Sequence, residues 1–250
     1  MRWTIDFLNR QSKLALDYDR VAKLFAMTRR SSQGISEQDF KNAGQALNLD
    51  PAMLKAFHRV ESRGQGFNSM GRLTVLYEPH QVHRRMNGAL TGKLFDWEHK
   101  GTQLKIPLSY RRWHKRNNPP VRRPIAWHPY FENQAGQWGM INMAYEQHPG
   151  AIEGVSWGAF QVLGKWGPNL GFRDALDMIN HMYDGEINHL DVALRYLRMA
   201  GGIEALRQKD LRKVALLYNG RGQVDYFARK LEVAYVDAQR EFGTYGSAWA

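Results

Sequence analysis

Apolar residues recur at helical spacing along most of the chain and alternate at strand spacing only in short stretches. Over residues 1 to about 30, Leu14, Val21, Leu24 and Phe25 share one face and Lys and Arg take the other, which predicts a helix packed as an arm. Arg29 to Gly34 reads as a short linker. Ser36 with Asp39 three residues on is a capping-box signal, and the helix it opens runs to Leu47. Pro51 suits the first turn of the next helix, in which Met53, Leu54, Phe57 and Val60 face inward and which Gly64 and Gly66 are expected to end. Gly71 to Tyr77 has the β-branched alternation of a strand, and Pro79 begins another helix through about Met86. Helical spacing resumes over about 137–147, then over 173–198 with a break near Asp184-Gly185. Three more segments follow at 203–208, 211–218 and about 224–242.

These elements predict a mainly α fold with a small β element, in one domain over 34–250 with an N-terminal helical extension over 1–33. Composition agrees with a normal core: 43% of the 250 residues are hydrophobic and 24% charged. Net charge adds a constraint. At +11 the chain is drawn to polyanions, whether nucleic acid, acidic lipid or an anionic cell envelope. Much of that charge lies between Trp97 and Pro124, where eight Lys or Arg face one Glu among prolines and the aromatic residues Trp97, Tyr110 and Trp113. This reads as an irregular or β-containing surface insertion. With no cysteine, the chain has no disulfide, thiolate metal site or Cys nucleophile. The N-terminal residues carry charges throughout and lack a signal-peptide pattern, so the expectation is synthesis in the cytoplasm and release by another factor.

Two carboxylates stand out. Glu61 lies at the C-terminal end of an apolar-faced helix, where unpaired carbonyls and nearby apolar groups disfavour negative charge. Both effects raise a carboxyl pKa towards the range of a general acid. Glu78 ends a strand and precedes Pro79, so it sits at a helix start, where free amides favour the ionised form. Either Glu alone reads as an ordinary helix-end carboxylate. Two carboxyl groups with environments that push their pKa values apart fit glycoside hydrolysis.

Further motifs follow in order: Glu61-Ser62, Gly158-Ala-Phe-Gln161 and Leu217-Tyr-Asn-Gly220. They resemble the three motifs shared by goose-type lysozymes and soluble lytic transglycosylases. From about 36 to 243 the chain also resembles the N-acetylmuramidase domain of phage endolysins, through Lys55–Ser62, Gly71–His80, Gly154–Gly164, Tyr218-Asn-Gly220, Tyr226 and Lys230-Leu231. The resemblance implies a lysozyme-like α+β fold, no cofactor, and hydrolysis of the β-1,4 bond between N-acetylmuramic acid and N-acetylglucosamine in bacterial peptidoglycan. It makes Glu61 the general acid and Glu78 the base or electrostatic stabiliser. It lines the sugar cleft with the second motif, puts Gln161 at the substrate and has Tyr218 support Glu61. Ser62, Trp157, Phe160, Tyr218 and Asn219 are further candidates for substrate contact; Trp157, Phe160 and Trp166 either stack on sugar rings or pack the core. The resemblance further implies a monomeric phage lysis enzyme that reaches the cell wall through a holin.

Three other readings compete. A lytic transglycosylase shares the Glu-Ser motif but needs no second carboxylate, because the substrate's own hydroxyl attacks and 1,6-anhydro products result. A metal enzyme is suggested by His80 and His83, and by Glu186-x-x-His189, which has the spacing of half a di-iron site; a second such motif is missing, and core or surface histidines are the better reading. A non-catalytic binder of nucleic acid has only the basic segment in its favour and no recognised motif. That segment is expected to meet the anionic outer envelope or to wall the sugar cleft.

Overall fold

The computed structural model describes Leu24 and residues 27–62, 66–99, 102–109 and 134–244. The expected N-terminal helix and most of the basic insertion lie outside the described residues. Leu24 is helical and buried in the core, and the backbone N–H groups of Arg29 and Arg30 donate to the carbonyls of Gly71 and Tyr183, each at 2.9 Å.

Helix α1 (Glu37–Leu47) begins at the expected capping box: Ser36 accepts from the Asp39 amide, and the Asp39 carboxylate accepts from the Ser36 amide at 2.8 Å. Helix α2 (Pro51–Glu61) is capped by Asp50, which accepts from the Ala52 amide, and it buries Met53, Leu54, Ala56 and Phe57. The helix stops earlier than the glycines suggested, because Ser62 turns to extended backbone directly after Glu61. Strand β1 (Val75–Tyr77) is shorter than the alternating run predicted; Leu73 makes only an isolated bridge to Phe67. Helix α3 (Pro79–Arg85) follows at once.

Strands β2 (Leu94–His99) and β3 (Thr102–Pro107) form an antiparallel hairpin at the start of the expected insertion. It rests on helix α4 (Gln134–Gln147), where the ring of Phe95 lies so close to Gly139 that a Cβ there would sit 2.6 Å from it. A 3-10 helix over Pro149–Gly154 leads into strands β4 (Val155–Trp157) and β5 (Val162–Leu163), and a second 3-10 helix spans Gly164–Leu170. The sheet order is β1-β4-β5, antiparallel throughout. The outer edge of β1 does not face water. Gln134 of α4 accepts from the Val75 amide and donates to its carbonyl, and Gln137 accepts from the Tyr77 amide at 2.6 Å. Side-chain amides thus complete a sheet edge that otherwise invites pairing with another chain.

Helices α5 (Ala175–Met182), α6 (Glu186–Met199), α7 (Gly202–Arg207), α8 (Leu211–Asn219) and α9 (Val224–Glu241) finish the domain. The break at Gly185 is where the sequence placed it, with φ at 149°. Helix α9 lies along α2: Glu241 pairs with Lys55 and Arg59, both at 2.7 Å. One continuous core joins Phe57, Tyr77, Trp138, Trp157, Tyr183 and Leu231. No helix among the described residues is long and apolar enough to cross a membrane.

Candidate active site

Glu61 closes helix α2 with its side chain 7% exposed. Removal from water pushes its carboxyl from an ordinary 4.5 up to about 7, against the opposing effects of a hydrogen bond from Asn219 and the charge of Lys230. Asn219 is the last residue of α8, and its Nδ2 lies 2.9 Å from Oε1 and 3.0 Å from Oε2 of Glu61. One exposed amide therefore orients the buried acid from across the fold.

The resemblance implies Tyr218 as the support of Glu61. The direct partner is the neighbouring Asn219. Tyr218 instead donates its hydroxyl to the Phe160 carbonyl at 2.9 Å and sets its ring edge-on to Phe57 of α2. It locks the turn after β4 against the helix that carries Glu61. His58, one helical turn before Glu61, packs edge-on to Phe40 and Phe160; burial, then the charges of Arg59 and Lys55, lower its pKa to about 4.

Glu78 caps α3 in position only, since its side chain bonds none of that helix's amides. In place of the expected free amides, its partners are one residue of the sheet and one of α3. Ser156 of β4 donates its hydroxyl to Oε1 at 2.6 Å, and Nε2 of His80 lies 3.7 Å from Oε2. Ser156 was missed, although it lies inside the Gly154–Gly164 stretch. Its register opposite Leu76, two residues before Glu78, brings it there. In the sequence it is simply a small polar residue in an apolar run.

Two expected sugar contacts are corrected by burial. Trp157 is fully buried, stacks edge-on with Trp138 and donates its ring N–H to the Ile152 carbonyl, so it is a core residue. Phe160 is 4% exposed and stacks on Phe57. Gln161 is half-buried at φ 53°, with its side-chain nitrogen donated to the carbonyls of Gly158 at 2.8 Å and Thr74 at 3.4 Å. It braces the turn. Ser62 is half-buried at the end of α2.

That turn rests on His189. The Ala159 amide donates to its Nδ1 at 2.9 Å, and its Nε2 faces the Met182 carbonyl at 3.0 Å. These partners require a neutral ring with the proton on Nε2. Burial, the largest effect, lowers its pKa to about 3. A Cβ on Gly158, which has φ 72°, would lie 2.6 Å from Nδ1. Glu186, its motif partner, accepts from the Gly66 amide at 3.1 Å. Both ring nitrogens of His189 thus serve backbone, not metal. His80 and His83 also diverge: His83 Nδ1 is 2.9 Å from the Ser109 hydroxyl. Among the described residues no three His, Asp or Glu gather as a metal site.

The two carboxylates are thus held in different ways, the buried Glu61 by Asn219 of α8 and Glu78 by Ser156 of β4, while the Gly158–Gln161 turn packs on α2 through Phe160 and Tyr218. A cleft of about 680 Å³ between α1 and α6 lies elsewhere, lined by Leu47, Ile187, Leu194 and Met199. It has no titratable pair of comparable character, so the acid marks the site better than the volume does.

The family model described as N-acetylmuramidase matches residues 50–239. No curated protein matches the chain. Among solved structures, the crystal structure of Burkholderia AP3 phage endolysin is similar at 25% identity and a TM-score of 0.62, covering 86% of this chain and 74% of that one. The family match spans both carboxylates, the hairpin β4–β5 and α8.

Proposed function

This chain belongs to the N-acetylmuramidase family, and on that premise we propose that it hydrolyses the β-1,4 bond between N-acetylmuramic acid and N-acetylglucosamine in peptidoglycan. The observation that carries this reading is Glu61: a buried carboxylic acid with a pKa of about 7, aimed by Asn219. An acid of that strength keeps its proton near neutral pH and can pass it to the glycosidic oxygen as the bond breaks. Glu78, oriented by the Ser156 hydroxyl, is the base for the attacking water or the stabiliser of the oxocarbenium-like transition state. Asn219 and Ser156 are positioning residues for these two groups. Similarity to a phage endolysin supports a role in host lysis. Release through a holin belongs to the same reading, and contact of the basic segment at 97–124 with the anionic envelope is supported by its charge.

The experiment is digestion of purified peptidoglycan followed by mass spectrometry. Reducing muramic ends released by the wild type, and none by a folded Glu61→Gln variant, are the expected outcome. Products ending in 1,6-anhydromuramic acid would show a lytic transglycosylase instead. Wild-type rates from a folded Glu61→Gln variant would remove Glu61 from the chemistry.

A further inference from the structure

Glu186 and His189 stand one turn apart on α6, and each holds the backbone of a different loop. Glu186 accepts from the Gly66 amide at 3.1 Å, and His189 accepts from the Ala159 amide at 2.9 Å. Between those two contacts the backbone completes a circuit. The Thr74 amide donates to the Gly66 carbonyl at 2.8 Å, and the Gly158 amide donates to the Thr74 carbonyl at 2.8 Å. Gln161 adds its side-chain nitrogen to the same Thr74 carbonyl at 3.4 Å. Hydrogen bonds therefore run from α6 through Gly66, Thr74 and the Gly158-Ala159 pair and return to α6.

The circuit passes through the point from which both carboxylates branch. Gly66 follows Glu61 by five residues, and Thr74 precedes Glu78 by four. The loop between Gly66 and Thr74 is pinched shut by their own bond, by the Phe67–Leu73 bridge and by the Asn68 amide on the Arg72 carbonyl at 2.7 Å. The path from Glu61 to Glu78 is thereby reduced to two short arms. The arm to Glu78 is strand β1, fixed by β4 on one edge and by Gln134 and Gln137 on the other. Beyond Glu78, α3 is seated on the 3-10 helices: a Cβ on Gly154 would lie 2.5 Å from the Val82 amide nitrogen, and one on Gly164 would lie 2.2 Å from the Ile152 carbonyl oxygen. The arm to Glu61 ends where Glu186 holds Gly66. That seat has little slack, since a Cβ on Gly66 would lie 2.4 Å from the His189 ring and 2.7 Å from Oε2 of Glu186. The turn on the far side of the circuit contains Gln161, a non-glycine residue at φ 53°. Such backbone persists where surrounding contacts over-determine it, and it concentrates at functional sites.

We propose that Glu186 and His189 are positioning residues that set the separation between Glu61 and Glu78. This rests on the reading of those two carboxylates as the acid and its partner in hydrolysis. Their separation decides whether a water fits between them, and a small misplacement of a reacting group costs rate heavily. Glu186 and His189 bond backbone, not either carboxylate. Their loss therefore slows the chemical step and leaves sugar binding and the proton affinity of Glu61 as they are.

The test sets Glu186→Ala, which removes the acceptor for Gly66, beside Glu186→Gln, which keeps it. His189→Ala and His189→Asn form the matching pair at Ala159, since Asn offers an acceptor near the Nδ1 position. Rates on purified peptidoglycan are measured well below each variant's melting temperature, with near-UV circular dichroism as the folding control. Each Ala variant is expected to lower kcat at least about tenfold, with KM within about twofold and the alkaline limb of the pH–rate profile unmoved. Each amide variant is expected to stay within about threefold of the wild-type kcat. Amide hydrogen exchange gives a readout that needs no activity. Glu186→Ala is expected to speed exchange at Ala159 at least about tenfold, although Glu186 does not bond that amide. The proposal is overturned by a wild-type kcat in Glu186→Ala, by equal losses in the Ala and amide variants, by a loss carried wholly by KM, or by unchanged exchange at Ala159. Should His189→Ala fail to fold, the Glu186 pair and the exchange measurement still decide. Wild-type rates from a folded Glu61→Gln variant would instead remove the proposed function, and the exchange result would stand apart from that failure.

Discussion

Replacing Glu61 with Gln is expected to make the protein more stable as well as inactive, and the stability gain has a defined pH dependence. The carboxyl titrates at about 7 in the folded chain against 4.5 ordinarily, because burial disfavours its charge. The folded state then holds a proton that the unfolded state has released between these two values. Stability associated with Glu61 is present in full below pH 4.5 and is lost as pH rises through about 7. The difference corresponds to about 3 kcal/mol, an upper figure for a group that keeps a slight exposure. Glutamine is isosteric, keeps a carbonyl for the Asn219 amide and has no charge to desolvate. Urea denaturation of both proteins from pH 4 to 9 reads the gap directly. The curves should nearly coincide at pH 4, separate through pH 7 and then run parallel, with the variant ahead by up to about 3 kcal/mol. Parallel curves over the whole range would refute the claim that Glu61 is held against a desolvation penalty, even if the variant were inactive.

Other expectations follow from single contacts. Asn219→Ala removes two hydrogen bonds that lower the Glu61 pKa, so the alkaline limb of the pH–rate profile should move upward by about one unit; an unmoved limb would separate Asn219 from the acid. Trp157→Phe should cost about 2 kcal/mol in urea denaturation through the lost Ile152 bond and the void, with KM unchanged; a raised KM in a fully stable variant would return Trp157 to the cleft. Gly158→Ala should lose at least about 2 kcal/mol because of its left-handed backbone and the His189 ring, whereas Gly222→Ala, with open space around it, should change stability by less than about 1 kcal/mol.

Much of the fold could be read from periodicity and caps, since helical segments bury one stripe and carry local stop signals. Ser36, Asp50-Pro51 and Gly185 each mark a boundary through chemistry confined to a few neighbours. The central sheet was less legible. Strands of two or three residues show too little alternation to register, and β4 buries every position, so it shows none. That is also why Trp157 and Phe160 resembled sugar platforms: an aromatic residue in a cleft motif and one in a core have the same letters. Glu61 was legible because a helix end and an apolar face are local facts. The roles of Asn219, Ser156 and His189 were not, because each acts on a residue dozens of positions away and only the packing decides which.

The glycines at 154 and 164 separate two properties that usually change together. Close backbone approach sets most of the spacing between α3 and the two 3-10 helices, and the Arg85–Glu153 ion pair adds a side-chain tie across it. The identity of residues 84 and 165 can therefore vary without moving the turn that carries Glu78. In a lineage that meets walls of differing chemistry, surface charge and reaction geometry would then be inherited as separate traits. Library design can use the same division by randomising those two positions while holding Arg85 and both glycines fixed.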